Sequence, residues 1–452
     1  MRRYFYAIGI LLSFIIMFCN PAVEADEQVT IDFAEQISQG APEVFGGTQP
    51  RGLSEDQWDI LKKQGFTFMR SQADLTELVP ADSPEEYLNN VDGCADPENW
   101  NWDEGVYGGD FAQEAIDRGM DVCYVIKNAR WNRYEGAPDD EETMPRSLEV
   151  WGDIVTKIVN HYEGKLTYIE LFNEVDRDPQ FFVEGSDYTR KTGYQAVART
   201  ALEAVARSDY PESRVGGTAA AGFGEEQVRW LLEDDTIREG IGFISFHDFD
   251  NPDYPHEGVV SLKNLLEEYN VDVPIVRSSY VPEYGREGGL PGTLEPAPIA
   301  HHLIGALKDG LAASGLWEIQ NKGGEDDPRY WFHNGETVKT ANLWLLMSNT
   351  LKLGKGPSQV MKASGPFSLN LGALNHADQP VAVMIGDESK DVNVTLENLD
   401  LDGRVKISIY STNEHSGGEK PVGTLDRQVE NGAVSFPVSI QEGEVVGLLI
   451  EN

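Results

Sequence analysis

Between residues 43 and 350, short apolar runs alternate with stretches whose apolar positions recur every three or four residues. The first kind reads as buried strand, the second as amphipathic helix. Residues 44–47, 66–70, 122–126, 166–172, 214–219, 243–246, 273–276 and 315–319 give eight strands. Ser54, with Gln57 three residues on, has the spacing of a capping box. A short helix is expected from Asp110 through Arg118, closed by Gly119. Pro145 opens a longer one with Leu148, Trp151, Val155 and Ile158 on one face. Tyr194, Val197, Ala201 and Val205 mark the next, and helices near 224–234, 258–269, 297–312 and 338–352 complete the count.

Eight βα units in about 310 residues predict an α/β fold, a closed (β/α)8 TIM barrel. No strand–helix turn reads GxGxxG, so a doubly wound nucleotide fold is the weaker choice. After Gly354-Lys355-Gly356-Pro357 the period drops to two: 367–371, 381–385, 392–396, 405–409, 434–440 and 445–450 alternate, with hairpin signals at Asp402-Gly403 and Asn431-Gly432. This predicts a C-terminal antiparallel β-sandwich, with Pro437 marking an edge strand. Residues 29–33 are a candidate extra strand for it. The expected organisation is a leader at 1–25, a connecting strand at 26–42, the barrel at 43–353 and the sandwich at 358–452.

The leader has basic Arg2 and Arg3, a twelve-residue apolar run at 7–18 and small Ala25 before the expected cut. That is the layout of a secretory signal peptide; the run falls short of the roughly 20 residues a membrane span needs. The expected destination is secreted or periplasmic, with no membrane attachment after cleavage. Removal of the leader takes Cys19 with it and leaves Cys94 and Cys123, which either pair in an oxidising compartment or stay as thiols.

Charge narrows the partners. Against 36 Lys+Arg stand 76 Asp+Glu, a net charge of −40. Nucleic acid and anionic membranes need a basic face, so neither is an expected partner. A charge of this size favours solubility and weak self-association, so a monomer or small homo-oligomer is expected. No phosphate loop, HExxH or EF-hand spacing occurs, so neither cofactor nor metal is expected.

In a parallel barrel, chemistry gathers where the strands end. Those positions here carry Arg70, then Lys127, Arg130 and Trp131, then Asn173-Glu174, His247-Asp248, Arg277 to Tyr280 followed by Glu283, and Trp317-Glu318. Asn173-Glu174 at the end of the fourth strand resembles the strand-four motif of retaining glycoside hydrolases of clan A. Arg70 on strand two, Ser245-Phe246-His247 on strand six (the S-x-H of family 39 and its neighbours) and Trp317 on strand eight extend the resemblance. It implies a polysaccharide or oligosaccharide substrate, Glu174 as acid/base, and Asn173 on the sugar 2-hydroxyl.

The departure is at strand seven. Pro274-Ile275-Val276 is followed by Arg277-Ser278-Ser279, with no acid where the clan has its nucleophile. The next carboxylate, Glu283 in Pro-Glu-Tyr-Gly, is assigned that role if a longer strand or a bulge carries it to the rim; Glu318 is the fallback. Arg70 is expected to keep the nucleophile ionised. His247, Tyr280, Trp317, Lys127, Arg130 and Trp131 are expected to bind substrate. Cations at 127, 130, 133, 277 and 286 suit an anionic glycan, uronic or sulfated.

Each assignment has a structural rival: Arg70 as the clamp of a core carboxylate, His247 as a core histidine, Trp317 as packing, and Trp100 and Trp102 as a loop staple. A second function also stands, a non-catalytic carbohydrate-binding protein on a degenerate barrel.

Overall fold

The computed structural model of the chain describes residues 27–50, 52–81, 83–103, 109–127, 147–176, 189–249, 251, 253–282, 296–319, 331–333, 336–337, 340–365, 370–386, 388–413 and 416–452. The expected leader, Pro145, Arg130, Trp131 and Glu283 lie outside the described residues.

Eight parallel strands close a barrel in chain order: Gly46–Thr48, Phe68–Asp74, Asp121–Lys127, Tyr168–Leu171, Val215–Ala220, Phe243–Phe249, Ile275–Val281 and Ala313–Leu316. The seam pairs Gly46 with Gly315 and Gly47 with Leu316. A Cβ on Gly46 would meet the Phe68 ring at 2.4 Å and the Ser314 carbonyl at 2.8 Å, so closure needs glycine there.

Side chains alternate between the barrel interior and the helices. Phe68, Cys123, Tyr168, Phe243, Val276 and Ala313 form one interior layer. Two residues further along their strands stand Arg70, Glu170 and Ser245, all buried. Gln72 and His247 follow, so polarity rises toward the strand ends.

Three strands outrun their sequence reading; one is strand six, expected over 243–246 and observed as Phe243–Phe249. Strand two continues from Arg70 to Asp74, and strand seven runs over Ile275–Val281 instead of stopping at Val276. The polar letters Ser71, Gln72, Arg277, Ser278 and Ser279 look like loop, yet all are buried. Strand seven also carries one extra residue: Phe246 pairs with Arg277 but His247 with Ser279, and the same slip recurs against strand eight.

Local signals set the helices. Ser54 and Gln57 make a reciprocal capping box on Glu55–Gln64. Ser147 caps Leu148–His161, whose Trp151, Val155 and Ile158 are buried. The helix expected over 338–352 is a four-residue α-helix, Ala341–Trp344, continued as a π turn through Thr350.

The second unit is a ten-stranded sheet folded on itself. Glu27–Gly40 runs antiparallel to Ser358–Ser364 and parallel to Lys390–Glu397, so the sheet is mixed, not purely antiparallel. Asn431 and Gly432 both have positive φ, as a tight hairpin requires. Pro437 falls on the edge strand Val434–Ile440. Strand Pro380–Ile385 is covered on both faces: Val381, Val383 and Ile385 join the barrel core, while Ala382 and Met384 join the sandwich core. That shared apolar layer bonds the two units.

Cys94 and Cys123 are separate buried thiols, which resolves the open question against a disulfide. Among the described residues no helix is long and apolar enough to cross a membrane.

Candidate active site

Residue 174 is fixed by its backbone before its side chain enters. Phe172 N–H donates to Ile126 O on strand three at 3.3 Å, and Glu174 N–H donates to Ala219 O on strand five at 2.8 Å. Asn173 is thus suspended between two neighbouring strands. Phe172 and Glu174 have φ of 67° and 56°, and Ala219 has 46°. Left-handed backbone at non-glycine residues costs on the order of 1–3 kcal/mol each, and such residues concentrate at functional sites.

Strand six supports this turn twice. Ser245 Oγ accepts the Ala219 N–H at 3.0 Å, holding the residue whose carbonyl holds Glu174. His247, two positions on and on the same face, brings Nδ1 to 3.3 Å from Glu174 Oε1. The S-x-H spacing therefore has a physical reading: alternate residues of one strand brace one carboxyl group, first through backbone and then directly. His247 is 2% exposed; burial holds its imidazole below the ordinary histidine value, with the Arg70 charge acting the same way, despite the Glu174 contact. A neutral imidazole lets Glu174 carry a proton, where an imidazolium would favour the carboxylate. Among the described residues, His247 Nε2 has no hydrogen-bond partner.

Strand two supplies the third support. Arg70 pairs with Glu170 at 2.6 Å with both side chains buried, and its Nη2 donates to Asn173 Oδ1 at 2.9 Å. Gln72 Nε2 reaches the same oxygen at 3.5 Å. Asn173 Oδ1 is thereby committed to the protein, which orients its amide group. Burial works against the Arg70 charge, but Glu170 outweighs it and keeps the guanidinium firmly ionised. Arg70 accordingly serves a core carboxylate and Asn173; its expected attendance on Glu283 lies outside the described residues.

Across the mouth, His247, Phe249 and Trp317 form an aromatic chain: His247–Phe249 centroids are 5.4 Å apart and Phe249–Trp317 6.0 Å, both edge-to-face. Phe249 and Trp317 are half-buried. Glu318 follows Trp317 through a cis peptide and is buried. Lys127 ends strand three half-buried, in register with Asp74.

Two expected mouth residues are elsewhere. Arg277 is 0% exposed and points to the helix side, where Nη1 lies 3.3 Å from Asp248 Oδ2. Tyr280, also fully buried, is stacked on His302 on that same side. The extra residue between them puts both there. Trp100 and Trp102 are a staple: Trp102 stacks on His161 at 3.5 Å, at the C-terminal end of a helix feeding the start of strand four, the opposite end of the barrel.

Sequence reasoning missed Glu170, Gln72 and Phe249. Strand periodicity contained the signal for two of them, since each lies two residues from an assigned neighbour: Gln72 from Arg70, and Phe249 from His247. Glu170 lies four residues before Glu174, beyond that simple rule. Among the described residues no cluster of three His, Cys, Asp or Glu side chains is arranged to hold a metal.

No family model matches the chain, and no curated protein matches it in sequence. Solved structures do match in fold. A glucosidase from Croceicoccus marinus superposes with a TM-score of 0.68 at 13% identity, covering 94% of this chain and 99% of that one. A glycoside hydrolase family 30 subfamily 8 xylanase from Clostridium acetobutylicum gives 0.65 at 16%, covering 94% and 100%. The GH39 enzyme from Xanthomonas axonopodis pv. citri gives 0.60 at 12%, covering 94% and 97%. These neighbours share the fold of this chain over barrel and sandwich together.

Proposed function

We propose that the chain is a glycoside hydrolase that cleaves O-glycosidic bonds of a polysaccharide or its oligosaccharides with two carboxyl groups. The observation that carries this reading is Glu174 at the end of strand four, held by backbone on two sides and facing neutral His247. The structures that share its fold are a glucosidase, a family 30 xylanase and a GH39 enzyme, and that likeness supports the reading.

In this account Glu174 delivers its proton to the departing glycosidic oxygen and later takes one from water. Asn173, its oxygen committed to Arg70, offers its amide to a sugar hydroxyl beside the reacting carbon. Glu283 stands two residues beyond strand seven, a strand-end position in a barrel, and is the proposed nucleophile. Buried Glu318 remains the alternative. Retention of configuration requires the two carboxyl groups about 5–5.5 Å apart; inversion requires roughly 6.5–9.5 Å.

The leader makes secretion part of the proposal. An anionic glycan is part of the proposal: buried Arg277 is withdrawn from the cations that suit it, and Lys127, Arg130, Arg133 and Arg286 carry the idea.

The test is a panel of neutral and anionic glycans, with the anomeric configuration of the first-formed product read by NMR for wild type and Glu283→Ala. Retention by wild type with cleavage abolished in Glu283→Ala supports the assignment, and undiminished cleavage by Glu283→Ala contradicts it. Tight glycan binding without cleavage by wild type would instead make this a carbohydrate-binding protein on a degenerate barrel.

A further inference from the structure

Behind strands six to eight lies a polar cluster that the proposed chemistry does not use. Arg277, Asp248 and His302 have side chains that are 0%, 1% and 0% exposed. Arg277 donates through Nε to Ser314 Oγ on strand eight at 2.9 Å and through Nη1 to His302 Nδ1 at 2.9 Å. Its Nη2 reaches the His302 carbonyl at 3.3 Å. His302 lies on helix Pro296–Lys308 and donates from Nε2 to Asn251 O at 2.9 Å. That bond fixes the tautomer: Nε2 carries the proton and Nδ1 is an acceptor, which suits Arg277 and leaves the 3.4 Å approach of Asp248 to Nδ1 secondary. Asn251 Nδ2 in turn donates to Asp248 Oδ1. The guanidinium lies 3.7 Å from the Tyr280 ring centroid, and Tyr280 stacks on His302 at 5.6 Å.

One cation thus ties strand six, strand seven, strand eight and a helix together at the extra residue in strand seven. The ties flank chemistry on both sides. Asp248 is the chain neighbour of His247, which touches Glu174. Arg277 and His302 bracket the segment that begins with Glu283, one from the strand before it and one from the helix after it. A buried charge is expensive unless fully partnered, so this cluster has one low-energy arrangement and specifies the slipped register sharply.

We infer that Arg277, with His302 and Asp248, is a positioning site that locks the slipped end of strand seven and so sets where that strand delivers its terminal residues opposite Glu174. None of the three touches substrate. The inference rests on the proposed hydrolase reading for its catalytic consequence, but the lock itself has a readout independent of activity.

The full-length secreted protein is compared as wild type, Arg277→Lys, His302→Asn and His302→Gln. Lysine keeps the charge and loses the three-way fork. Asparagine keeps an acceptor at the Nδ1 position; glutamine keeps the donor to Asn251. Amide hydrogen exchange at Ser279–Val281 is expected to speed up tenfold or more in Arg277→Lys and His302→Gln, and less than threefold in His302→Asn. On a glycan that wild type cleaves, kcat falls tenfold or more in the first two with KM within twofold, and His302→Asn retains at least a third of kcat. Unchanged exchange in Arg277→Lys, or equal losses in His302→Asn and His302→Gln, overturns the inference. If Arg277→Lys fails to fold, the two His302 variants decide alone. A wild type that cleaves no glycan counts against the function, and the exchange profile then tests the lock by itself.

Discussion

His247 Nδ1 lies 3.3 Å from Oε1 of Glu174, and the imidazole is buried and held in its neutral form. The pair links a strand-four carboxyl group to a strand-six ring across intervening strand five. Either partner can supply the shared proton, so the contact survives both protonation states of Glu174. His247→Ala is expected to lower kcat by about 10²-fold, within the range for lost proton-transfer support. It should also move the acidic or basic limb of the kcat/KM profile, which a packing defect alone does not do.

Two buried histidines make stability pH-dependent. His247 and His302 are both depressed, by burial first, whereas in the unfolded chain each titrates near the ordinary ~6.5. Above that value neither state is charged and the residues contribute no pH dependence. As pH falls below about 6.5 the unfolded chain takes up protons the native state refuses, so stability declines. Asp248 adds to the decline at lower pH: despite burial, its Arg277 and Asn251 contacts hold its carboxyl below the usual range. Denaturant unfolding between pH 7 and 5 should show this slope, reduced in His302→Asn.

Glu43 works in the opposite direction. Burial, with Asp121 nearby, raises its carboxyl to about 7. Its stabilising effect is present below the unfolded carboxylate value and is lost as pH rises through about 7. Glu43→Gln should therefore raise the melting temperature at pH 8 and change little at pH 4, as calorimetry can measure.

The Arg70–Glu170 pair separates folding from chemistry. Removing one partner of a buried ion pair costs about 3–5 kcal/mol, while replacing both by apolar residues is often neutral. Arg70→Met is expected to unfold readily, and the double variant Arg70→Met/Glu170→Met to recover most of the lost stability. Activity should stay low in the double variant because Asn173 Oδ1 has lost its shorter, charged donor and keeps only Gln72 at 3.5 Å. Melting temperature and kcat, measured on the same samples, test both halves.

Trp102 should behave as a staple. Trp102→Ala is expected to cost about 0.5–1.5 kcal/mol through lost stacking on His161, with kcat/KM unchanged at a temperature where the variant is folded.

Much of this was legible in the chain because strand–helix alternation and strand-end chemistry are both local patterns. Asn173-Glu174 and His247 could be read from their strand-end positions, and Ser245 from the S-x-H resemblance. Arg277 could not: a charge in a predicted loop reads as solvent-exposed, and only the tertiary meeting with Asp248 and His302 makes its burial favourable. Tyr280 was misread for the same reason, since one inserted residue shifts which side a side chain faces. The long strand Glu27–Gly40 was only partly visible, because its polar 34–39 half lacks the alternation of 29–33.

The central claim is that Glu174 is the proton donor to the leaving group, and leaving-group dependence measures it directly. Wild type and Glu174→Gln are compared on a natural oligosaccharide and on an aryl glycoside of the same sugar whose phenol leaves without protonation. The account predicts a loss of about 10²–10⁴-fold on the oligosaccharide and a far smaller loss in the first chemical step on the aryl glycoside. Equal losses on both substrates, or an oligosaccharide cleaved by Glu174→Gln at the wild-type rate, would contradict it.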